Sequence, residues 1–204
     1  MLVKILPLGQ LETNCYIVAD PDTLECAIID PGDESNVILD YIEENKLRPL
    51  AIFLTHGHFD HVGAVSAVQA DTGAPVYIHE KDARLSGPYD AYRLLADAKV
   101  SHYGEGDEIA VGSMVFRVME TPGHSQGSVT LICGDCLFTG DTLFRDSCGR
   151  TDLPGGDMQE LLKSLRRLYG LEGNFEVYPG HMDSSNLDRE RRFNYYMTYA
   201  MENR

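Results

Sequence analysis

The chain of 204 residues is 43% hydrophobic, which suits one compact domain (residues 1–204) with a sizeable core and leaves too little for two domains and a linker. No run of ~20 apolar residues offers a membrane span, and the opening MLVKILPLGQLETN carries one lysine and no apolar stretch long enough for a signal peptide, so a cytoplasmic protein is expected. A net charge of −15 repels phosphate backbones and keeps the chain soluble, so neither nucleic acid nor membrane is expected as a partner.

Residues 2–6, 15–20 and 26–32 read as strands, the third closing in the Pro31-Gly32 turn. ESNVILDYIEENK (34–46) places Val37, Ile38, Tyr41 and Ile42 at helical spacing, with acidic residues early and Lys46 late, as a helix dipole prefers. LAIFLT (50–55) is a short continuous apolar run and reads as a buried strand, with His56 just beyond its end. HVGAVSAVQADTG (61–73) predicts a helix closing near Gly73, and PVYIHE (75–80) another strand. Residues 80–103 read as helical or irregular. A second β-rich half follows, with strands at 114–120, 127–133 and 136–141. Then come an amphipathic helix at 158–170, a last strand at 175–181, and a polar-faced terminal helix within 182–204. Strands and helices interleave twice, so the expected class is α+β or α/β, a layered sandwich of sheets and helices.

Five cysteines, an odd number without a secretory signal, point to reduced thiols. Cys133 and Cys136 flank Gly134-Asp135, a two-residue hairpin turn that would set the two thiols opposite each other on adjacent strands.

The chemistry concentrates in FLTHGHFDHVGA (53–64), where His56, His58, Asp60 and His61 fall within six positions of a chain that has only seven histidines. Chance would give such a pattern in roughly one of a thousand shuffled chains. Neutral imidazole nitrogens beside an anionic oxygen suit borderline divalent metals such as zinc. The spacing of the first three suits an extended loop at a strand end. Three further donors repeat that setting: His124 in TPGHSQGS, Asp141 in FTGDTLF and His181 in VYPGHMDSS each follow a strand. Seven donors are too many for one ion and about right for two, and a lone carboxylate between late histidines, Asp141, is the natural bridge.

THGHFDHVGA, TPGHSQGS, GDTLF, SCGRTDLPGGD and YPGH resemble the glyoxalase II (hydroxyacylglutathione hydrolase) branch of the metallo-β-lactamase superfamily, over about Gly9 to Asn194. The shorter single-domain bacterial members are the closer match, because only residues 182–204 follow His181, where longer relatives carry a helical domain that helps hold glutathione. The resemblance implies a four-layer αββα sandwich with two divalent ions at the sheet edges. Zinc is the first expectation, with iron or manganese as alternatives. By the same resemblance His56, His58 and His124 would hold one ion, Asp60, His61 and His181 the other, and Asp141 both, with Asp30 of IIDPGD supporting the ligand loop. The implied activity is hydrolysis of a small hydroxyacyl thioester such as S-lactoylglutathione, with Asp60 and Asp141 as catalytic residues. Arg150 could steer an anionic thiol carrier, or simply pair with Asp146 or Asp152. In the family pattern an aromatic follows the basic residue, and here Thr151 and Asp152 stand instead. Phe144 and Tyr178 read as packing under the site, His79 and His102 as structural or rim residues. A mononuclear iron persulfide dioxygenase, a lactonase on the same metals, and a non-enzymatic metal-binding protein remain as alternatives, as do monomer and homodimer.

Overall fold

Strand β2 (Thr13–Ala19) is buried along its whole length, and its side chains divide between two cores. Cys15, Ile17 and Ala19 lie in one core, Tyr16 and Val18 in another. Side chains of a strand alternate between faces, so an unbroken apolar run marks a strand covered on both sides. The same division holds in β3 (Glu25–Ile29), β4 (Arg48–Leu54) and β5 (Val76–Ile78). With β1 (Leu2–Leu8) and β6 (Val100–His102) they form a six-stranded sheet in the order β1-β2-β3-β4-β5-β6. Its first two pairings are antiparallel and the remaining three parallel.

The computed structural model describes residues 1–84 and 95–203. Among these, a second six-stranded sheet contains β7 (Glu108–Val111), β8 (Met114–Glu120), β9 (Val129–Cys133), β10 (Cys136–Gly140), β13 (Glu176–Pro179) and β14 (Ser185–Asn186), in the order β14-β13-β10-β9-β8-β7. A small ribbon, β11 (Leu143–Phe144) with β12 (Ser147–Cys148), projects after β10. The middle core joins the sheets through Tyr16, Phe53, Phe116 and Phe138, all at most 2% exposed. On the outer face of the first sheet pack α1 (Ser35–Glu44) and α3 (Val65–Thr72), through Ile38, Ile42, Val65 and Val68. On the outer face of the second pack α5 (Met158–Tyr169), α6 (Leu187–Phe193) and α7 (Tyr195–Glu202), through Leu162, Leu165, Leu168, Leu187 and Met197. Three cores between four layers make the αββα sandwich. No helix of the described residues is long and apolar enough to cross a membrane.

Strand direction positions the site. β3, β4 and β5 are parallel, and β8 and β10 share one direction because both run antiparallel to β9. β13 is parallel to β10. The segments that follow these strands therefore leave their sheets at a common edge.

Several expected elements differ. The helix expected over 61–73 is two: a single turn α2 (Phe59–Val62), then α3. They are separated at Gly63, where a Cβ would lie 2.3 Å from the carbonyl oxygen of Gly32, so the loop carrying Gly32 crosses there. The terminal helix expected within 182–204 is instead β14 followed by α6 and α7. Asn194 breaks the run with extended backbone (φ −74°, ψ 115°), and its side chain caps the next helix by accepting from the N–H groups of Tyr196 and Met197. Residues 80–103, expected to be helical or irregular, contain among the described residues the single turn α4 (Glu80–Ala83) and also the strand β6, which was not expected; 85–94 lie outside the described residues. Cys133 and Cys136 do face each other across a hairpin, and all five cysteines are free thiols.

Candidate metal centre

His56 directly follows Thr55 at the end of β4, and Asp30 follows β3 in a left-handed conformation (φ 51°). That turn of the chain aims Asp30 across to the neighbouring strand end. Its carboxylate accepts from the Thr55 N–H (2.7 Å), the Thr55 hydroxyl (2.6 Å) and His61 Nδ1 (2.9 Å). Having donated its own proton to Asp30, the Thr55 hydroxyl accepts from His56 Nδ1 at 3.1 Å. Backbone carbonyls do the same for two other histidines: Arg150 accepts from His124 Nδ1 (2.7 Å) and Leu11 from His181 Nδ1 (3.2 Å). Each Nδ1 is thus occupied, and Nε2 of His56, His61, His124 and His181 is left for the site. His58 is the exception: its Nδ1 faces inward, 2.8 Å from His124 Nε2.

The seven expected donors all meet. His56, His58 and His124 form one compact trio, and Asp60, His61 and His181 another, with candidate ligand atoms in each within 4.8 Å of one another. Asp141 lies between them: Oδ1 is 3.4 Å from His61 Nε2 and Oδ2 is 3.4 Å from His124 Nε2. Asp60 Oδ2 lies 3.2 Å from His181 Nε2 and accepts from the Thr13 hydroxyl at 3.1 Å. The extended loop expected over 56–60 reaches only as far as His58. Asp60 and His61 stand on the single turn α2, closed by His61 N–H to His58 O at 3.0 Å.

Whether ions would fit is decided by atoms without partners. Among the described residues, the buried side-chain polar atoms lacking any hydrogen bond are His56 Nε2, His61 Nε2 and Asp141 Oδ1, all in this cluster. Such atoms are expensive to bury unmet, and a divalent cation would satisfy all three. Gly180 leaves the space: a Cβ there would fall 2.2 Å from Asp141 Oδ1 and 2.7 Å from the His61 ring.

Electrostatics separates the trios. Burial first, then the charges of His61 and His58, pushes His56 well below the ordinary imidazole range, and burial with His124 pushes His58 down to about 4. These rings are neutral and ready to ligate. In the other trio burial also disfavours charge, but the carboxylates outweigh it. Asp141 and Asp30 raise His61 well above its usual range, and Asp60 and Asp141 raise His181. Burial would raise Asp60 and Asp141. The hydrogen bond from His181 and the charge of His61 hold Asp60 below the normal carboxylate range, and the charge of His61 does the same for Asp141. In this half the carboxylates favour protonated imidazole, and a metal would compete with those protons.

A cavity of about 540 Å³ opens onto both trios, with Leu11, Phe59, Phe144, Leu153 and Met182 among its walls. Phe144, expected to pack beneath the site, instead forms part of this wall and meets His181 edge-on at 6.1 Å. Tyr178 packs in the middle core as expected, stacked on Phe138. Arg150 also lines the cavity, but its guanidinium is engaged by both oxygens of Asp152, each at 2.7 Å; Asp146 is paired with Arg189 instead. His79 caps α4 and pairs with Glu120, away from the trios, and His102 lies on β6.

Asp82 carries no local sequence signal for its role. It is fully buried on α4 and accepts from Gly57 N–H (2.8 Å), Gly127 N–H (2.6 Å) and the Ser125 hydroxyl (2.6 Å). One carboxylate thus ties the loop of His56 and His58 to the loop of His124. Thr13 was equally silent, because its partner Asp60 is 47 residues away.

Fold and site together define a metal-dependent hydrolase built on an αββα sandwich. The chain belongs to the metallo-β-lactamase superfamily, whose family model matches residues 8–181. It is 34% identical to the hydroxyacylglutathione hydrolase GloC of Haemophilus influenzae, over 95% of this chain and 97% of that protein. The structure is similar to the B3 metallo-β-lactamase BLEG-1, with a TM-score of 0.86 and 36% identity over 97% of this chain and 100% of the other. It is also similar to TTHA1623 in a di-iron-bound form, with a TM-score of 0.81 and 38% identity over 95% of this chain and 100% of the other.

Proposed function

We propose that the chain is a two-metal thioester hydrolase acting on a small hydroxyacyl thioester such as S-lactoylglutathione. The observation that carries this reading is the pair of ligand trios with Asp141 between them, opening onto one cavity. His56, His58 and His124 would hold one ion, Asp60, His61 and His181 the second, and Asp141 both. When bound, such a pair supplies a nucleophilic water of lowered pKa and a Lewis acid for the substrate carbonyl. Zinc suits the mixed imidazole and carboxylate donors, and the relative that binds two irons supports iron as the alternative.

The protein's own residues do the rest. Asp60, kept ionised and steadied by Thr13, can accept the attacking water's hydrogen bond and orient it. Leu11, Phe59 and Phe144 give the cavity an apolar wall against which a small acyl group can pack. A thiolate is a good leaving group and needs little protonation as it departs. GloC's hydroxyacylglutathione hydrolase activity supports a thioester over other acyl substrates. The test is turnover of S-D-lactoylglutathione by zinc-loaded protein, before and after chelation, beside a lactone, a β-lactam and a glutathione persulfide with oxygen uptake recorded. Chelator-sensitive thioester cleavage exceeding the other activities is expected. Oxygen consumption by an iron-loaded form without thioester cleavage would contradict the reading.

A further inference from the structure

We infer that Asn14 is a positioning residue for the second ion: it directs its backbone N–H and both amide hydrogens onto the loop that carries His181, and without that grip the centre takes one zinc ion at concentrations that give the wild type two. This rests on the two-metal reading above and deepens it.

Asn14 is buried near the start of β2, in the first sheet, whereas the loop of His181 leaves β13 in the second. The Asn14 backbone N–H donates to the Gly180 carbonyl (2.8 Å), and its side-chain amide donates to the carbonyls of Pro179 (3.0 Å) and Met182 (2.9 Å). One residue thus meets three carbonyls on either side of a single ligand. Aspartate, of the same shape, has no N–H to offer there. The bond to Met182 also fixes an unusual backbone: Met182 is left-handed (φ 68°), a conformation that a side chain other than glycine rarely adopts. On its other side the loop is met by Gly140, whose carbonyl accepts from the Gly180 N–H (2.8 Å). The neighbours of Asn14 serve the same trio. The Leu11 carbonyl accepts from His181 Nδ1, the Thr13 hydroxyl donates to Asp60, and the Tyr16 hydroxyl donates to the Pro179 carbonyl. Residues 11–16 therefore set two of the three ligands of the second trio. The first trio is fastened by other groups: Asp82 joins the loop of His56 and His58 to that of His124, and the Arg150 carbonyl holds His124. Loss of the Asn14 amide therefore falls on one ion and spares the other.

The experiment titrates zinc alone into the chelator-stripped full chain, in competition with a coloured chelator, and resolves the two binding steps of the wild type. His181→Ala identifies the step that belongs to Asp60, His61 and His181. Asn14→Ala is expected to weaken that step by roughly 10- to 100-fold, the range for outer partners of metal ligands, and to leave the other step unchanged. The control for lost stability is Asp20→Asn, which gives up bonds to Ser113 at the edge away from the site and should leave both steps in place. Tyr16→Phe deletes one hydroxyl from the same loop while its ring stays packed on Phe138, and should weaken the His181 step alone by about twofold to fivefold. This second variant decides the matter if Asn14→Ala shows no cooperative unfolding transition. An unmoved His181 step, or equal weakening of both steps, in the folded variant overturns the inference alone. A wild type that saturates at one zinc ion removes the two-metal reading and this inference with it.

Discussion

Asp30 serves two histidines at once, one directly and one through the Thr55 hydroxyl, and all of these groups are buried. Removing it would free His61 to rotate and would leave Thr55 without its acceptor. Asp30→Ala is expected to weaken metal binding by roughly 10- to 100-fold, measured by competition with a coloured chelator; unchanged affinity would show that the relay does not orient the ligands. The ligands themselves were legible in the sequence, because histidines and aspartates at strand ends announce their chemistry by type. Asp82, Thr13 and the carbonyls of Leu11 and Arg150 were not. Each acts through a partner distant in sequence, and nothing in an isolated aspartate or threonine says what it will face. Arg150 illustrates the intermediate case: its neighbour Asp152 was visible, but the choice between substrate and neighbour is made by rotamers.

The ribbon of β11 and β12 carries Phe144, Ser147 and Cys148 of the cavity wall, and its position is set by the C-terminal helices. Asn194, fully buried, donates to the carbonyls of Phe144 (3.2 Å) and Ser147 (2.9 Å) and to Glu190 (2.9 Å). Its oxygen meanwhile caps α7. Asn194→Ala removes a cap and several buried bonds together, so a loss of roughly 2–4 kcal/mol in urea unfolding is expected. KM should rise more than kcat falls, because the wall loosens while the ligands stay. A second elemental contact links the two sheets at the edge away from the site. The Ser113 hydroxyl and N–H, from the turn between β7 and β8, and the Asp22 N–H all donate to Asp20 after β2. Those bonds hold its carboxyl well below the ordinary range. The resulting stability is fully present above the unfolded value of about 3.9 and is lost as pH falls through the lowered folded value. Asp20→Asn should therefore be less stable than wild type at pH 7 and 5, with the gap narrowing at pH 3. A gap that stays constant with pH would refute it. Long buried strands and the capped amphipathic α5 could be read ahead of the structure, since their patterns are their own. β6, β7, β11, β12 and β14 have two to four residues each and exist because a neighbour pairs with them. The break at Asn194 was hidden because the residues around it keep a helical pattern.

At the scale of the molecule, two halves of one chain bring their strand ends to a common edge, and each half contributes to both trios or the carboxylate between them. The first half supplies His56, His58, Asp60 and His61; the second supplies His124, Asp141 and His181. Ions bound there would tie the sheets together, so metal should raise the melting temperature with the logarithm of its free concentration over Kd, and chelation should lower it. The most direct measurement is a calorimetric titration of zinc into chelator-stripped protein. Saturation at two ions per chain is expected, with proton release on the side where carboxylates favour protonated imidazole. Saturation at one ion, or no uptake, would contradict it.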